Sequence, residues 1–406
     1  MKKTLQTLWF LMAFAASQIC LGQSDPVVTA LGGMRGRVVG AASEAIAKNG
    51  EGTTILLKDG TILHAFTRHM RPSDLTRYPN ADLWPAVVAE TVSKDDGATW
   101  SQPTVMFRSS TGNNAMQPGF VRMKNGDLGI SYSQIDSLSH ATKVFRYSQD
   151  EGKTWSSEIP ISPVNSYWTS AHDRMLLLSS GRILIPLHHK VVVKPEQMVT
   201  QVAYSDDNGR HWHLDRHEIS TSAMLPAFAK TFGNRSSAGF WEASIAELNS
   251  GKLLMLGRTY GGALYAARSS DSGLTWSEPE ATSLRTGAAP GRLIRVPGSG
   301  DLLVVWNGCC VSTENPLLGR RLTLSSAIST DGGQTWKWRR DLESVVPGAG
   351  NGVEYPAVTM INGNAFVTYR AETSAGGHYR MEEFLSILPL SWFYVERDCN
   401  SVGFGQ

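Results

Sequence analysis

The chain has 406 residues, of which 41% are hydrophobic and 18% are charged. This composition is typical of a globular protein with a large buried core and excludes a disordered chain. The 38 basic and 36 acidic side chains leave a formal net charge of +2, so no broad field favours nucleic acid or an anionic membrane surface as a partner.

The first 22 residues have the pattern of a secretory signal peptide. Two lysines follow Met1, an apolar run occupies Leu8–Ala16, and small residues come next. The run is too short to cross a bilayer, and no later stretch of about 18 or more apolar residues follows, so we expect no membrane span. We therefore expect residues 1–22 to be removed and the protein to be secreted or periplasmic. Lipid anchoring at Cys20 is less favoured because no small residue immediately precedes it.

Six β-hairpins follow in chain order, each made of an alternating strand, a glycine turn and a second strand. Alternation with a period of two residues is typical of strands, and no segment keeps a long helical period. The first hairpin reads "ILLKDGTILHAF" and the last "VTMINGNAFVTYR". The turn glycines are Gly60, Gly126, Gly181, Gly251, Gly300 and Gly363.

An octet of the form Ser-x-Asp-x-Gly-x-Thr-Trp follows each of the first five hairpins. The octets begin at Ser93, Ser148, Ser205, Ser269 and Ser329, and His211 replaces Thr in the third. The Asp can accept hydrogen bonds from the following backbone, the Gly allows a left-handed turn, and the Trp packs on the sheet. We therefore interpret these Asp boxes as structural turns that lie outside the site.

The repeats predict an all-β fold, a six-bladed β-propeller with Asp-box turns, as a single domain over residues 23–406. Five hairpins with their octets supply five four-stranded blades, and the sixth hairpin is followed by the strand-like "EEFLSILPLSWFYVE". Disulfides do not organise this fold, because only Cys309, Cys310 and Cys399 remain after cleavage and two of them are adjacent.

In a propeller the first strand of every blade lines the central channel, so residues just before these strands meet at one mouth. Counting nine residues back from each turn glycine selects a mostly polar set, with Asp173 and Tyr355 one position further along. This set predicts a polyol-binding pocket. Its members are Glu51, Gln117, His172, Glu242, Gly291 and Glu354.

With its Asp boxes and six blades, the chain resembles the sialidase (neuraminidase) superfamily over about residues 45 to 394. The stretches "VEYPAVTMINGNAFVTYR" and "FWEASIAELNSGKLLMLGR" are similar to those that carry the family's nucleophile and its activating carboxylate. The resemblance implies Tyr355 as nucleophile and Glu242 as the base that takes its proton. A phenol with a pKa near 10 needs such a base, and a neutral nucleophile avoids repulsion from an anionic sugar.

The resemblance also implies an acid/base aspartate and a set of arginines that hold the sugar carboxylate through forked donors. Asp82 in "NADLWPAVVAE" matches the acid/base position, with Asp74 as the alternative. Arg258 and Arg321 match two of the three arginines, although neighbouring Arg320 is an alternative to Arg321.

The third arginine of the family is missing, since "NGEGTTILLKDG" places Glu51 at or beside that position. The carboxylate reverses the charge offered to an acidic sugar, which is enough to change the substrate. Arg68, Arg71 or Arg77, on the loop after the first hairpin, could restore the positive charge. Alternatively, Glu51 could pair with Arg258 and be neutralised.

The third blade adds His172, Asp173 and Arg174 to the rim in "WTSAHDRMLLL". The candidate substrate-binding residues also include Asp173 and Arg174 of this blade, together with Gln117, Arg68 and Glu51. A carboxylate pair such as Glu51 with Asp173 could also run conventional glycosidase chemistry without the tyrosine. No metal site is expected from "PLHHK", because adjacent strand residues face opposite sides.

The sequence therefore predicts an exported, sialidase-like retaining exo-glycosidase that releases a terminal acidic sugar from a glycan and needs no cofactor. One alternative is a hydrolase or lyase of the same fold that acts on a uronate or a neutral sugar. Another is a carbohydrate-binding propeller without catalysis.

Overall fold

The computed structural model of the protein describes residues 36–76, 80–191, 197–221, 239–308, 321–345, 352–372 and 380–395. The expected signal peptide, all four cysteines, Arg77 and Arg320 lie outside these ranges. Within these ranges strands dominate, numbered here β1 to β25 in chain order, and two short 3-10 helices occupy Ala81–Leu83 and Leu390–Tyr394. In the part of the chain so described, no helix has the length and apolar character needed to cross a membrane.

Three antiparallel sheets have four strands each, paired in chain order. Short polar turns join the strands, and the turn glycines have positive φ, for example 87° at Gly126 and 76° at Gly251. The strands are β6–β9 (Ala115–Arg122, Leu128–Ser137, His140–Ser148, Ile159–Pro160), β15–β18 (Trp241–Glu247, Leu253–Arg258, Ala263–Ser269, Glu280–Arg285) and β19–β22 (Arg292–Arg295, Leu302–Trp306, Thr323–Ser329, Lys337–Ser344).

A fourth sheet has five strands because its innermost strand is interrupted. Two short strands, β10 and β11, both pair with β12, and the chain between them carries Asp173. The five strands are β10–β14 (Trp168–Thr169, Leu176–Leu177, Ile183–Val191, Gln197–Ser205, His213–Leu214).

The remaining sheet has eight strands from both ends of the chain. Its order is β23-β24-β25-β2-β3-β4-β5, with β1 paired to β25. A single parallel pair, Lys48 with Met381, joins β2 to β25. The strands are β1–β5 (Arg37–Gly40, Ile46–Leu56, Ile62–Met70, Ala86–Ser93, Thr104–Phe107) and β23–β25 (Val353–Ile361, Asn364–Glu372, Met381–Pro389).

Apolar clusters fill the spaces between consecutive sheets, and the first strands of the sheets meet at the centre. Leu63 of β3 shares a cluster with Phe120 of β6, and Ile62 shares another with Phe366 of β24. At the centre, β2 contacts β6 and β23, and β19 contacts β15 and β23. Burial of these faces stabilises the arrangement by about 25 cal/mol per Å² of apolar area. The fold is therefore all-β and propeller-like, as the sequence predicts.

The six separate blades expected from the sequence do not appear as six separate sheets. Strand pairing among the described residues gives five sheets, because the pair formed by Lys48 and Met381 merges the first and last groups of strands. The stretch predicted as a strand up to Glu396 ends earlier, at Pro389, and continues as the 3-10 helix Leu390–Tyr394.

All five Asp boxes form the predicted turn, each between two consecutive strands that pair in one sheet: β4–β5, β8–β9, β13–β14, β17–β18 and β21–β22. In the first box, Asp95 accepts hydrogen bonds from the backbone N–H and hydroxyl of Thr99, at 2.8 and 2.6 Å. The Ser93 hydroxyl accepts from the Gly97 N–H at 2.9 Å. In the third box, His211 takes over the role of Thr and its Nδ1 lies 2.6 Å from Asp207. The structural interpretation of the octets is confirmed by these contacts.

The Asp boxes should make the free energy of unfolding fall in acid. Hydrogen bonds from Thr99 lower the pKa of Asp95 to about 2, and those from Thr154 lower the pKa of Asp150 to about 2, from an ordinary value of 3.8. A depressed native pKa stabilises the fold above the unfolded pKa, and this contribution is lost as the pH falls through the native pKa. Urea unfolding measured from about pH 5 to about pH 2 should show the loss. Asp95→Asn should be less stable at the upper pH and less dependent on pH; an unchanged slope would contradict this origin.

Candidate active site

The inner strands carry a recurrent left-handed residue at the channel mouth. Glu51, Gln117, Asp173, Glu242 and Tyr355 are not glycines, yet their φ values are 60°, 59°, 51°, 49° and 56°. In four of the five strands the pairing register shifts at this point, as expected for a β-bulge. A left-handed conformation costs a non-glycine residue about 1–3 kcal/mol, and residues in this conformation cluster at functional sites. Counting nine residues back from the turn glycines selects three of these five positions, Glu51, Gln117 and Glu242, while Asp173 and Tyr355 lie one position further along.

Tyr355 and Glu242 come from different sheets and meet at this mouth. The Tyr355 hydroxyl donates a hydrogen bond of 2.9 Å to Oε1 of Glu242. Oε2 of Glu242 accepts from Nη1 of Arg258 at 2.6 Å, and the same nitrogen lies 3.4 Å from the phenol oxygen. The tyrosine is only 9% exposed, and the glutamate is only 7% exposed. The geometry allows Glu242 to take the phenol proton while Arg258 faces both oxygens.

The charges around this pair set its protonation in the free protein. Burial raises the pKa of Tyr355 above its usual value, so the phenol is protonated at neutral pH. Burial also acts to raise the pKa of Glu242, but Arg258, His188 and Arg321 outweigh it and lower the pKa overall. The result is a neutral phenol beside a carboxylate, which is the state that a nucleophile with its base requires.

Among the described residues, three guanidinium groups surround the Tyr355 ring. Arg258 touches the hydroxyl, while the guanidinium carbons of Arg321 and Arg370 lie 5.2 and 4.2 Å from the ring centroid. The sequence reasoning selected the first two arginines and missed Arg370. A signal was present, because Arg370 follows Glu354 by the same sixteen positions that separate Arg258 from Glu242.

Each of these three arginines already has a carboxylate partner. Glu242 pairs with Arg258, and Glu354 pairs with both Arg321 and Arg370. Although burial acts to raise it, the two arginines hold the pKa of Glu354 at about 2. The described part of the site therefore has nearly balanced charges before any substrate arrives.

Glu51 pairs with Arg370 across the channel mouth. The expectation that Glu51 is neutralised by Arg258 is therefore wrong. Burial raises the pKa of Glu51, although Arg370 and Lys48 act to lower it. Arg370, which is on the last hairpin, brings positive charge to the place where the sequence shows an unexpected carboxylate.

The three arginines named as possible replacements lie in different surroundings. Arg68 is partly buried, burial lowers its pKa, and its Nε has no hydrogen-bond partner among the described residues. Arg71 donates to the backbone oxygen of Glu44 at 3.2 Å and lies 5.9 Å from the Trp84 ring. Arg77 lies outside the described residues.

Asp82 and Asp74 differ sharply in their surroundings. Oδ1 of Asp82 lies 2.6 Å from Nζ of Lys48, and Lys48 holds the pKa of this carboxyl far below its usual range. The Asp82 side chain is nonetheless 59% exposed. Asp74 instead accepts bonds from the backbone and hydroxyl of Thr76 in an exposed local turn. Of the two aspartates, Asp82 is the one electrostatically linked to Glu51 and Arg370.

Three other predicted site residues serve the packing of the channel. Asp173 accepts hydrogen bonds from Thr53 at 2.9 Å and from Arg292 at 2.7 Å, and is 5% exposed. The Gln117 side-chain oxygen accepts from two hydroxyls, at 3.1 and 2.7 Å. Arg174 is 1% exposed and donates to the backbone oxygens of residues 172 and 291. These contacts satisfy internal groups and leave little surface for a ligand.

Buried histidines line the same region. The His172 ring lies 6.0 Å from that of Tyr355, and neither of its nitrogens has a hydrogen-bond partner in the described chain. Burial, together with nearby cations, lowers its pKa well below the usual value. Burial also lowers the pKa of His188 to about 4, while His189 faces away and stacks on Trp168 at 4.0 Å. Among the described residues, no three His, Cys, Asp or Glu side chains are grouped to hold a metal ion.

Known proteins share this architecture. A 245-residue stretch is 26% identical to a sialidase of Bacteroides fragilis (strain YCH46) and covers 57% of this chain but only 40% of that relative. The fold matches the Hadza microbial sialidase Hz136 with a TM-score of 0.66 at 18% identity, covering 88% of this chain and 68% of the other. It matches the intramolecular trans-sialidase from Ruminococcus gnavus with a TM-score of 0.64 at 13% identity, covering 89% and 99%.

The family model for the BNR repeat-like domain matches residues 85–367, which is more than half of the chain. This range includes Tyr355, Glu242, Arg258 and Arg321 but not Arg370, and it includes all five Asp boxes. The chain belongs to the BNR repeat-like domain family, within the sialidase/BNR-repeat superfamily.

Proposed function

We propose that the protein is a retaining exo-glycosidase that releases a terminal acidic sugar, of the sialic acid class, from a glycan. The observation that carries this proposal is the 2.9 Å hydrogen bond from the Tyr355 hydroxyl to Glu242 inside a ring of three arginines. The sialidase from Bacteroides fragilis, which is a sequence relative, supports the same class of substrate.

In the first step, Glu242 takes the Tyr355 proton while the phenol oxygen attacks the anomeric carbon. The bond from that carbon to the leaving oxygen breaks, and the leaving oxygen takes a proton from the Asp82 region of the rim. In the second step, water replaces the tyrosine on the anomeric carbon and gives a proton to Asp82, and Glu242 returns a proton to the phenol. Two displacements at one carbon retain its configuration.

Arg258, Arg321 and Arg370 would hold the carboxylate of the sugar. Forked guanidinium donors match a carboxylate, and the ring of Tyr355 lies among all three of them. Arg370 then supplies the third guanidinium in place of the one missing at Glu51. The substrate carboxylate would have to share these donors with Glu354 and Glu51.

This sharing favours one second candidate, a glycosidase of the same fold that acts on a neutral sugar. Its specific support is that each of the three guanidinium groups is already paired with a carboxylate. A neutral glycone would leave those ion pairs intact. An acidic glycone has to replace ion pairs within the protein by ion pairs with its own carboxylate, so its binding gains only the difference between their free energies.

A substrate panel separates the two candidates. The purified protein is expected to hydrolyse a fluorogenic α-sialoside and to leave the matching uronide and neutral glycosides nearly untouched. Turnover of only a neutral glycoside would favour the second candidate, and turnover of only the uronide would keep an acidic glycone but overturn the sialic acid class. Sugar binding without turnover across the panel would overturn both and indicate a carbohydrate-binding propeller.

We also infer that the eight-stranded sheet is two blades, β2–β5 and β23–β25 with β1. Each half supplies four strands, and one residue pair joins them. This division would give six blades in one domain. Export through a cleaved segment at residues 1–22 is a further proposal, which N-terminal sequencing of the protein made by its natural host would test.

A further inference from the structure

Glu51 is a buried carboxylate at the channel mouth that takes no part in the two displacement steps above. It lies on β2 and is only 3% exposed. One of its oxygens, Oε1, contacts Nη1 of Arg370, whereas Oε2 has no hydrogen-bond partner among the described residues. A buried carboxylate is costly in its ionised form unless a cation compensates the charge. The ionised form of Glu51 therefore depends on its contact with Arg370.

Arg370 belongs to the candidate site as well, because its guanidinium carbon lies 4.2 Å from the centroid of the Tyr355 ring. Its Nε and Nη2 lie 2.8 and 2.7 Å from Oε1 of Glu354, while Nη1 faces Glu51. Glu354 has a second arginine partner, Arg321, whereas in the described part of the chain Glu51 has none. A third carboxylate that approaches Arg370 would therefore replace Glu51 more readily than Glu354.

The charges around Glu51 show how it would respond to the loss of this partner. Burial raises its pKa above the usual value although the nearby cations act to lower it, whereas two arginines hold the pKa of Glu354 at about 2. When Arg370 compensates another anion, the pKa of Glu51 rises further. The charged groups that act on Glu51 are Arg370 on β24, Lys48 on β2, Lys143 on β8, Asp82 in the first short helix and Glu242 on β15.

We propose that Glu51 takes up one proton from the solvent when an acidic glycone binds, because the carboxylate of the glycone replaces Glu51 on Arg370. One O–H bond forms, on the Glu51 carboxylate, and no other covalent bond changes. Glu51 is then a specificity-determining residue, since it makes the affinity for an acidic glycone depend on pH. A neutral glycone leaves Glu51 paired and takes up no proton there. The inference rests on the proposed glycosidase function.

Proton uptake can be measured with the 2,3-unsaturated glycal of sialic acid, which keeps the carboxylate and has no glycosidic bond to cleave. Titration calorimetry in buffers of different ionisation enthalpy gives the number of protons taken up per glycal bound. This number should reach at least about 0.5 between the pKa of Glu51 in the free protein, which lies above 4.5, and its higher pKa in the complex. In that range the association constant should fall at least about threefold per pH unit as the pH rises.

Glu51→Gln removes the group that takes up the proton but keeps a side chain of the same size. The pH-dependent uptake should disappear in this variant. At about pH 8 it should bind the glycal at least about threefold more tightly than the wild-type protein does, because Arg370 no longer has an ionised Glu51 as its partner. A purely structural role of Glu51 would instead weaken binding at every pH.

The matched control is Glu151→Gln in the second Asp box. Glu151 has the same left-handed backbone as Glu51, with φ of 61° against 60°, and it also pairs with an arginine, Arg122, at 2.6 Å. Because it lies outside the site, its variant should keep both the proton uptake and the affinity of the wild-type protein.

The two proposals can fail separately. If the wild-type protein hydrolyses the α-sialoside and binds the glycal without proton uptake, the inference is wrong and the proposed function stands. Wild-type uptake in Glu51→Gln would assign the proton to another group and would also overturn the inference. If the wild-type protein neither hydrolyses the sialoside nor binds the glycal, the proposed function fails and the inference with it. The wild-type measurement decides the point even if Glu51→Gln does not fold, which thermal unfolding will show.

Discussion

Tyr355→Phe is expected to lower kcat/KM for the sialoside on the order of 10³-fold or more, because it removes the attacking oxygen and leaves everything else in place. The Phe ring keeps the contact with Arg370, whose guanidinium carbon lies 4.2 Å from the ring centroid. Glu242 keeps its 2.6 Å bond to Arg258, so its charge stays compensated. Stability should therefore fall by no more than about 1.5 kcal/mol.

The control for this substitution is Tyr132→Phe. Tyr132 is likewise buried, with 0% exposure against 9% for Tyr355, and its hydroxyl donates to a carboxylate, Glu158, at 2.6 Å. It lies on β7, outside the site, so its variant should lose similar stability but keep its activity. Steady-state kinetics and thermal unfolding of both variants make the comparison. Full activity in Tyr355→Phe would remove the tyrosine from the mechanism.

Asp173→Ala is expected to cost about 3–5 kcal/mol of unfolding free energy, which is the typical cost of removing one partner of a buried ion pair. The Asp173 carboxylate accepts hydrogen bonds from three inner strands, β2, β19 and β23. It accepts from Thr53 of β2 at 2.9 Å, from Arg292 of β19 at 2.7 Å and from the Val358 N–H of β23 at 3.4 Å. Without it, the Arg292 guanidinium remains buried beside the centre of the molecule.

Urea unfolding should be compared with that of Asp96→Ala. Asp96 also has a left-handed backbone, with φ of 54° against 51° for Asp173, but it is exposed. The control variant therefore has the same strain from an alanine in the left-handed conformation, but it does not remove a buried charge. We expect a change of about 1 kcal/mol or less for the control. Similar losses in both variants would show that Asp173 is not a central anchor.

The sequence predicts the parts of this molecule that local chemistry determines. An Asp-box octet contains both the donors and the acceptors of its own turn, so Asp95 and Thr99 can be paired without knowledge of the rest of the chain. A turn glycine sets the register of its hairpin, and the register sets which residue reaches the channel mouth. Tyr355 and Glu242 could therefore be placed at one site although they are 113 residues apart.

The partners of the charged residues could not be predicted in the same way. Glu51 and Arg370 lie 319 positions apart, and their pairing depends on how the first and last groups of strands meet. Asp173 has the offset of a site residue but lies where the inner strand is interrupted, so it faces Arg292 inside the channel. The number of residues from the turn glycine identifies the positions at the channel mouth. The packing of neighbouring sheets decides which of these positions remain open to a ligand.

The pairing of β1 with β25 has a consequence for synthesis of the protein. Ala42, just after β1, donates to the side chain of Glu382, 340 positions later. At about 5–20 residues per second, the ribosome needs roughly 20–70 s to make the intervening chain. During that time β1 has no partner strand and presents an unpaired edge of the kind that promotes aggregation. The ring can therefore close only after nearly the whole chain has emerged, and a chaperone that shields this early strand should raise the yield of folded protein.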